Sequence, residues 1–161
     1  MNNCKEFDLD DVMAVVAIPV TDYNPGTAPW QLRPVIPATG FSPTLTNAIT
    51  IGIKAATTGG SLIPIRRKTG KAKDNTGDSV AGRLHTVNVN CEVDDRDGAV
   101  WADLLKLERT PAHLLLTFRG GIRAFVQGSI DTYHCEVERD GAKTSVQFKV
   151  QSLMGIQLIS A

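Results

Sequence analysis

Arg83 to Val93 reads RLHTVNVNCEV, and its alternation sets the reading of the whole chain. Val87, Val89, Cys91 and Val93 fall on one side of an extended backbone, and Asn88, Asn90 and Glu92 on the other. Side chains alternate across a strand with a period of two, so this is a half-buried antiparallel strand with a core on one face and solvent on the other. The same grammar continues toward the carboxyl end. HLLLTFRGGIRAFVQGS (His113–Ser129) has the form of a hairpin turning on Gly120-Gly121, glycines that permit the positive φ of a tight turn. TYHCEVERDGAKTSVQFKVQS (Thr132–Ser152) turns on Asp140-Gly141, with Val146, Phe148 and Val150 inward and Ser145, Gln147 and Lys149 outward. LMGIQLI follows as a final apolar strand.

Upstream, Val12–Val20 is β-branched and short, a buried strand ended by Pro19 and a turn-rich segment. Leu45–Lys54 alternates again, with Ile49, Ile51 and Ile53 on one face. Only DDRDGAVWADLLKLER, from Asp94, breaks the period of two. Trp101, Leu104, Leu105 and Glu108 recur at helical spacing, acids stand where a helix dipole favours them, and Asp95 or Asp97 is the expected cap. The expectation is a mainly β chain of about seven or eight strands, an antiparallel sandwich or barrel with one short flanking helix. At 161 residues, without an internal repeat, residues 1–161 are read as a single domain.

Two segments do not fit the strands. Thr21 to Thr44 is rich in proline, which removes ladder donors and favours extended backbone, while Trp30 and Phe41 give it apolar anchors. This is expected to be an arm laid on a surface. Ala55 to Arg83 includes IPIRRKTGKAKDNTGDSVAG (Ile63–Gly82), which is expected to be a long polar loop between strands. Loops of that length inside a compact domain are functional or disordered. Ordering Arg66, Arg67, Lys68, Lys71 and Lys73 costs rotamer entropy, which charge pairing with a neighbouring protein would offset. These five residues, with Trp30 and Phe41, are the candidate subunit interface.

Catalytic and metal chemistry have no comparable signature. His134 and Cys135 are strand neighbours and point to opposite faces, and no CxxC or HxxxH spacing occurs. The carboxylates from Glu92 to Asp97 read as helix capping, and the glycine pairs lack any phosphate-loop pattern. No catalytic residue, metal or cofactor is assigned, and the chain is not read as an enzyme; His113 and Cys135 are the only handles for that alternative. Formal net charge is zero, so no whole-chain field for nucleic acid is indicated. The basic run keeps a nucleic-acid-binding β-barrel open as an alternative, although it lacks aromatic stacking platforms. The start, MNNCKEFDLDD, is acidic where an export signal is basic, and no run reaches the length of a membrane span. Reduced thiols and cytoplasmic synthesis are therefore expected.

The order from Leu45 to Ile159 is strand, charged loop, strand, short helix, two Gly-turn hairpins and a terminal strand. RLHTVNVNCEV, AVWADLLKLER, HLLLTFRGGIRAFVQGS and TSVQFKVQSLMGIQLI carry that order. It resembles the tail tube proteins of long-tailed bacteriophages, relatives of the type VI secretion tube protein. The resemblance implies a β domain flanked by a helix, hexameric rings, and stacking into a hollow tube that conducts DNA. Its partners would be copies of itself, other tail proteins and passing DNA, and its place the virion tail, assembled in host cytoplasm. A long loop would reach the adjacent ring, strands of neighbours would join edge to edge, and a polar wall would line the lumen. Asn88, Asn90 and Glu92, or Gln147, Lys149 and Gln151, are the candidate lumen residues. The proline arm departs from the family pattern and leaves a tail terminator or head–tail connector open.

Overall fold

The computed structural model describes residues 6–10, 12–21, 35–38, 41, 43, 45–52, 61–66, 68–79, 82–93, 98–140 and 143–160. They form two packed sheets and one helix, a mainly β sandwich without a closed barrel.

The five-stranded sheet is built around β7 (Gly82–Val93), the strand read first from alternation. β7 pairs on one side with β6 (Lys71–Ser79) and on the other with β11 (Lys143–Ser152). β1 (Glu6–Asp10) lies outside β6, and β10 (Tyr133–Asp140) outside β11, all antiparallel. The seven-stranded sheet runs in the order β3 (Val35–Pro37), β12 (Ile156–Ser160), β9 (Arg123–Val126), β8 (Ala112–Phe118), β2 (Val12–Pro19), β4 (Ile49–Gly52) and β5 (Ser61–Pro64).

The expected inward residues meet between the sheets. Val87, Val89, Cys91, Val93, Val146, Phe148 and Val150 are all buried against Val15, Leu114, Leu116 and Val126 of the other layer. Each such aliphatic side chain contributes about 1.5–3 kcal/mol by leaving water. The β8–β9 hairpin turns on Gly120 and Gly121, at φ 87° and 84°. The positions of Gly141, Ile53, Asp95 and Asp97 lie outside the described residues.

Strands β1, β3, β5 and β6 were not expected, and β5 and β6 overturn the long polar loop. Most of Ile63–Gly82 is β-structure, and β6 joins β7 as a hairpin. Its sequence conceals this because the inward positions are Ala72 and Asp74, one small and one charged, both buried. The strand is held by ladders to β1 and β7, which require no particular side chain.

The arm is likewise partly accounted for within the chain. β3 adds in parallel to β12, and Phe41 packs edge-on against Phe125, ring centroids 5.4 Å apart. Phe41, Ile36, Ala48, Leu115, Phe125 and Ile159 form a second core on the outer face of the seven-stranded sheet. That sheet is therefore covered on both faces, which explains why Thr50 and His113 are as buried as their apolar neighbours.

Helix α1 (Gly98–Arg109) inserts Leu104 and Leu107 into the main core, and Lys106 and Arg109 lie in its last turn, where the dipole favours cations. It lies along the edge of β10. Glu108 Oε1 accepts the Val137 N–H at 2.9 Å, the Tyr133 hydroxyl donates to Leu107 O at 2.7 Å, and the Arg139 guanidinium stacks on Trp101 at 4.0 Å. An otherwise open strand edge is thereby blunted.

Two segments pass from one sheet into the other at a shared corner. β1 and β2 are separated by Asp11 alone, and the Val12 N–H donates to Gly70 O at 3.0 Å. Beyond β5, Ile65 bridges Val93 and the Arg66 N–H donates to Glu92 O at 2.8 Å. No helix among the described residues is long and apolar enough to cross a membrane.

Candidate interaction surface

The basic run is dispersed by the fold. Arg66 is half-buried at the end of β7, and Lys68 is exposed in the corner turn at φ 63°. Thr69 fixes that turn: its hydroxyl donates to Arg66 O at 2.6 Å and accepts the Glu92 N–H at 3.2 Å. Lys71 and Lys73 stand on β6, opposite in parity to buried Ala72 and Asp74, and so on the outer face of the sheet. Arg67 and Trp30 lie outside the described residues. Phe41, expected at a subunit interface, is instead consumed by its own chain, because Phe125 offers it an apolar partner.

The two alternative sets of candidate lumen residues prove to be one surface. Asn88 pairs with Lys149, Asn90 with Gln147 and Thr86 with Gln151 across the β7–β11 ladder, while Glu92 faces Ser145. Lys71 and Lys73 extend the face on one side, opposite Asn90 and Asn88. His134 and Glu136 extend it on the other, with His134 Nε2 3.1 Å from Glu136 Oε1. Asn88, Asn90, His134, Glu136, Gln147 and Lys149 rim a shallow depression of about 290 Å³ on it. Lys143 and Glu92 close an ion pair at 2.9 Å. Cations and anions are interspersed, so a phosphate backbone would meet no unbroken positive track among the described residues.

A second feature was not foreseen. The last β11 partner of β7 is His85, and the last β1 partner of β6 is Asn75. Beyond them Gly77–Leu84, Asp78–Arg83 and Ser79–Gly82 still pair, a two-stranded ribbon without a lateral neighbour among the described residues. Gly77 is exposed, and a Cβ built there would meet nothing within 4 Å. An isolated hairpin is marginal in water, so this one persists because its base is fastened.

The fastening is polar. Asp74 Oδ1 lies 2.9 Å from His85 Nδ1, and Asp74 Oδ2 accepts the Ile156 N–H at 3.0 Å, tying the ribbon's root to β12. Thr76 Oγ1 lies 3.4 Å from the same imidazole nitrogen. Gly155, at φ 62°, passes directly over the pair, and a Cβ there would strike Asp74 Oδ2 and the His85 ring. No spacing in the sequence marks this cluster. The only trace is Lys71–Asn75, where a small residue and an acid occupy alternate positions.

His113 and Cys135 are both buried. His113 Nδ1 accepts the Gly128 N–H at 2.8 Å, leaving the proton of a neutral ring on Nε2, and the ring packs on Phe125. Burial pushes the Cys91 and Cys135 thiols up to about 12, so neither is a thiolate near neutrality. Among the described residues no group of His, Cys, Asp and Glu could hold a metal ion.

No known family model, characterised protein or solved structure matches the chain.

Proposed function

We propose that this chain is a structural subunit of a phage or prophage virion, a tail tube protein whose copies form hexameric rings that stack into a hollow conduit for DNA. The observation that carries the proposal is the projecting β6–β7 ribbon. A strand pair that extends beyond its own sheet, with a firmly fastened base, is built to be gripped by something else. The order of strands, helix and glycine-turn hairpins that resembles the tail tube family supports the same reading. In this proposal the ribbon takes the part that a long loop plays in the family, reaching the adjacent ring.

The joined polar face of β7 and β11 supplies the lumen wall. Its mixed charges and amides let DNA pass without a continuous cationic track to hold it. Lateral ring contacts fall away from the β10 edge, where Glu108 already takes the Val137 amide, and toward β1 at the opposite edge of that sheet.

The test is to replace Gly77 to Leu84 with a short Asn-Gly turn. The ribbon's root, with Asp74 and His85, remains, so the melting temperature should stay near that of the parent. Negative-stain microscopy at high concentration should show rings or rods for the parent and their loss in the variant. Unchanged assemblies without the ribbon, or a parent that stays monomeric at every concentration, would overturn the proposal.

A further inference from the structure

Large apolar side chains are left exposed at few places. Among the described residues they are Val35, Ile122, Ile130 and Leu153. Val35 belongs to edge strand β3, whereas the other three stand on turns at the ends of the sandwich. The ladders fix which end. Thr117, Arg123 and Ile159 align at one end of the seven-stranded sheet, and Leu114, Val126 and Ile156 toward the other. Ile122 precedes Arg123 and so marks the first end. Ile130 lies beyond Val126, and the Gln151 N–H donates to Thr132 O at 3.2 Å, bringing the Leu153 turn to the same second end.

Single exposed aliphatics are ordinary on protein surfaces. These three stand on turns whose backbones are fixed by hydrogen bonds. The Phe118 N–H donates to Ile122 O at 2.7 Å, and the Gly121 N–H to Phe118 O at 3.1 Å. The Tyr133 N–H donates to Ser129 O at 3.1 Å, and the Thr132 N–H to Ser129 Oγ at 3.2 Å. The Gly155 N–H donates to Ser152 Oγ at 2.8 Å. On these fixed turns Ile122, Ile130 and Leu153 remain 55%, 73% and 58% exposed. A turn whose backbone is already ordered adds little backbone ordering cost when a partner covers the side chain it carries.

The turns that carry Ile122 and Ile130 also differ in charge. Arg119 and Arg123 are exposed beside Ile122, and Asp131 is exposed beside Ile130. Like against like would set arginine on arginine or aspartate on aspartate, whereas unlike ends pair apolar with apolar and cation with anion. We infer that the end bearing Ile130, Asp131 and Leu153 seats on the end bearing Arg119, Ile122 and Arg123 of the next copy. Such a contact is heterologous and propagates along the strand axis. The ribbon leaves from the Ile130 end, because Ser152, next to Leu153, pairs with His85 at its root, so it points toward the next copy. The inference rests on the proposed self-assembly and adds to it the surfaces and the polarity of stacking.

The full-length chain, concentrated and viewed by negative stain with sedimentation in parallel, tests it through Asp131→Arg, Ile122→Ser and the double variant Asp131→Arg/Arg123→Asp. All three sites are exposed, and thermal melts check that each variant is folded. Asp131→Arg gathers cations at the contact and should abolish rods or raise their onset concentration roughly tenfold or more, while rings persist. Ile122→Ser should weaken stacking, and the double variant should recover rods. Parent-like rods from both single variants, or a double variant no better than Asp131→Arg, would overturn this contact while leaving the assembly proposal standing. A parent that never assembles would overturn both.

Discussion

Gly155 occupies a position that only glycine tolerates, at the point where Asp74, His85 and the first amide of β12 meet. Gly155→Ala would add a Cβ into Asp74 Oδ2 on a backbone that already disfavours it. The substitution should cost about 2–4 kcal/mol, read as a lower urea midpoint with unchanged m. A stability equal to the parent's would mean that the site accommodates the added Cβ. At this scale the sequence was legible where chemistry and position agreed. Val87, Val89 and Cys91 are apolar and inward. It was illegible at Asp74, because an inward acid inverts the rule that separates a strand from a loop. The partners that make its burial acceptable, His85 and the Ile156 amide, are brought to it only by the fold.

Among the elements, the segment around Phe41 shows how a correct observation can lead to the wrong partner. Phe41 does anchor on an apolar surface, but that surface is the outer face of its own sheet. Phe41→Ala should therefore destabilise the isolated chain by about 3 kcal/mol through loss of burial and the cavity left beside Phe125. If Phe41 instead served only a neighbouring copy, the melting temperature of the monomer would not change. β6 illustrates the converse. Its side chains argue for solvent, yet its backbone is paired on both sides, and ladder bonds leave no trace in residue type. The helix was legible from its period, while its role in covering β10 through Glu108 and Trp101 depends on contacts far along the chain.

For the whole molecule, alternation was enough to foresee a mainly β sandwich or barrel with one helix, but not which of the two, nor its topology. β1 pairs with β6, β2 with β8 and β3 with β12, and nothing local encodes such distant choices. The shared core also sets how the fold responds to alkali. Burial holds the Cys91 and Cys135 thiols protonated up to about 12, against an ordinary value of 9.0, and burial raises the Tyr133 phenol too. Between those values the folded chain keeps protons that the unfolded chain releases. Stability should be intact below about pH 9 and decline as pH rises toward 12. Urea titrations under reducing conditions would show the decline, and Cys91→Ala should make it shallower; a flat profile would mean the thiols meet water. The corner at Val12 and Gly70 carries a mechanical consequence. One run of backbone belongs to both layers, as the edge of one sheet and an interior strand of the other. Tension along that run would load both ladders in shear at once, many bonds together, instead of peeling them singly. A wall assembled from such bricks would resist stretching best along the direction of its strands.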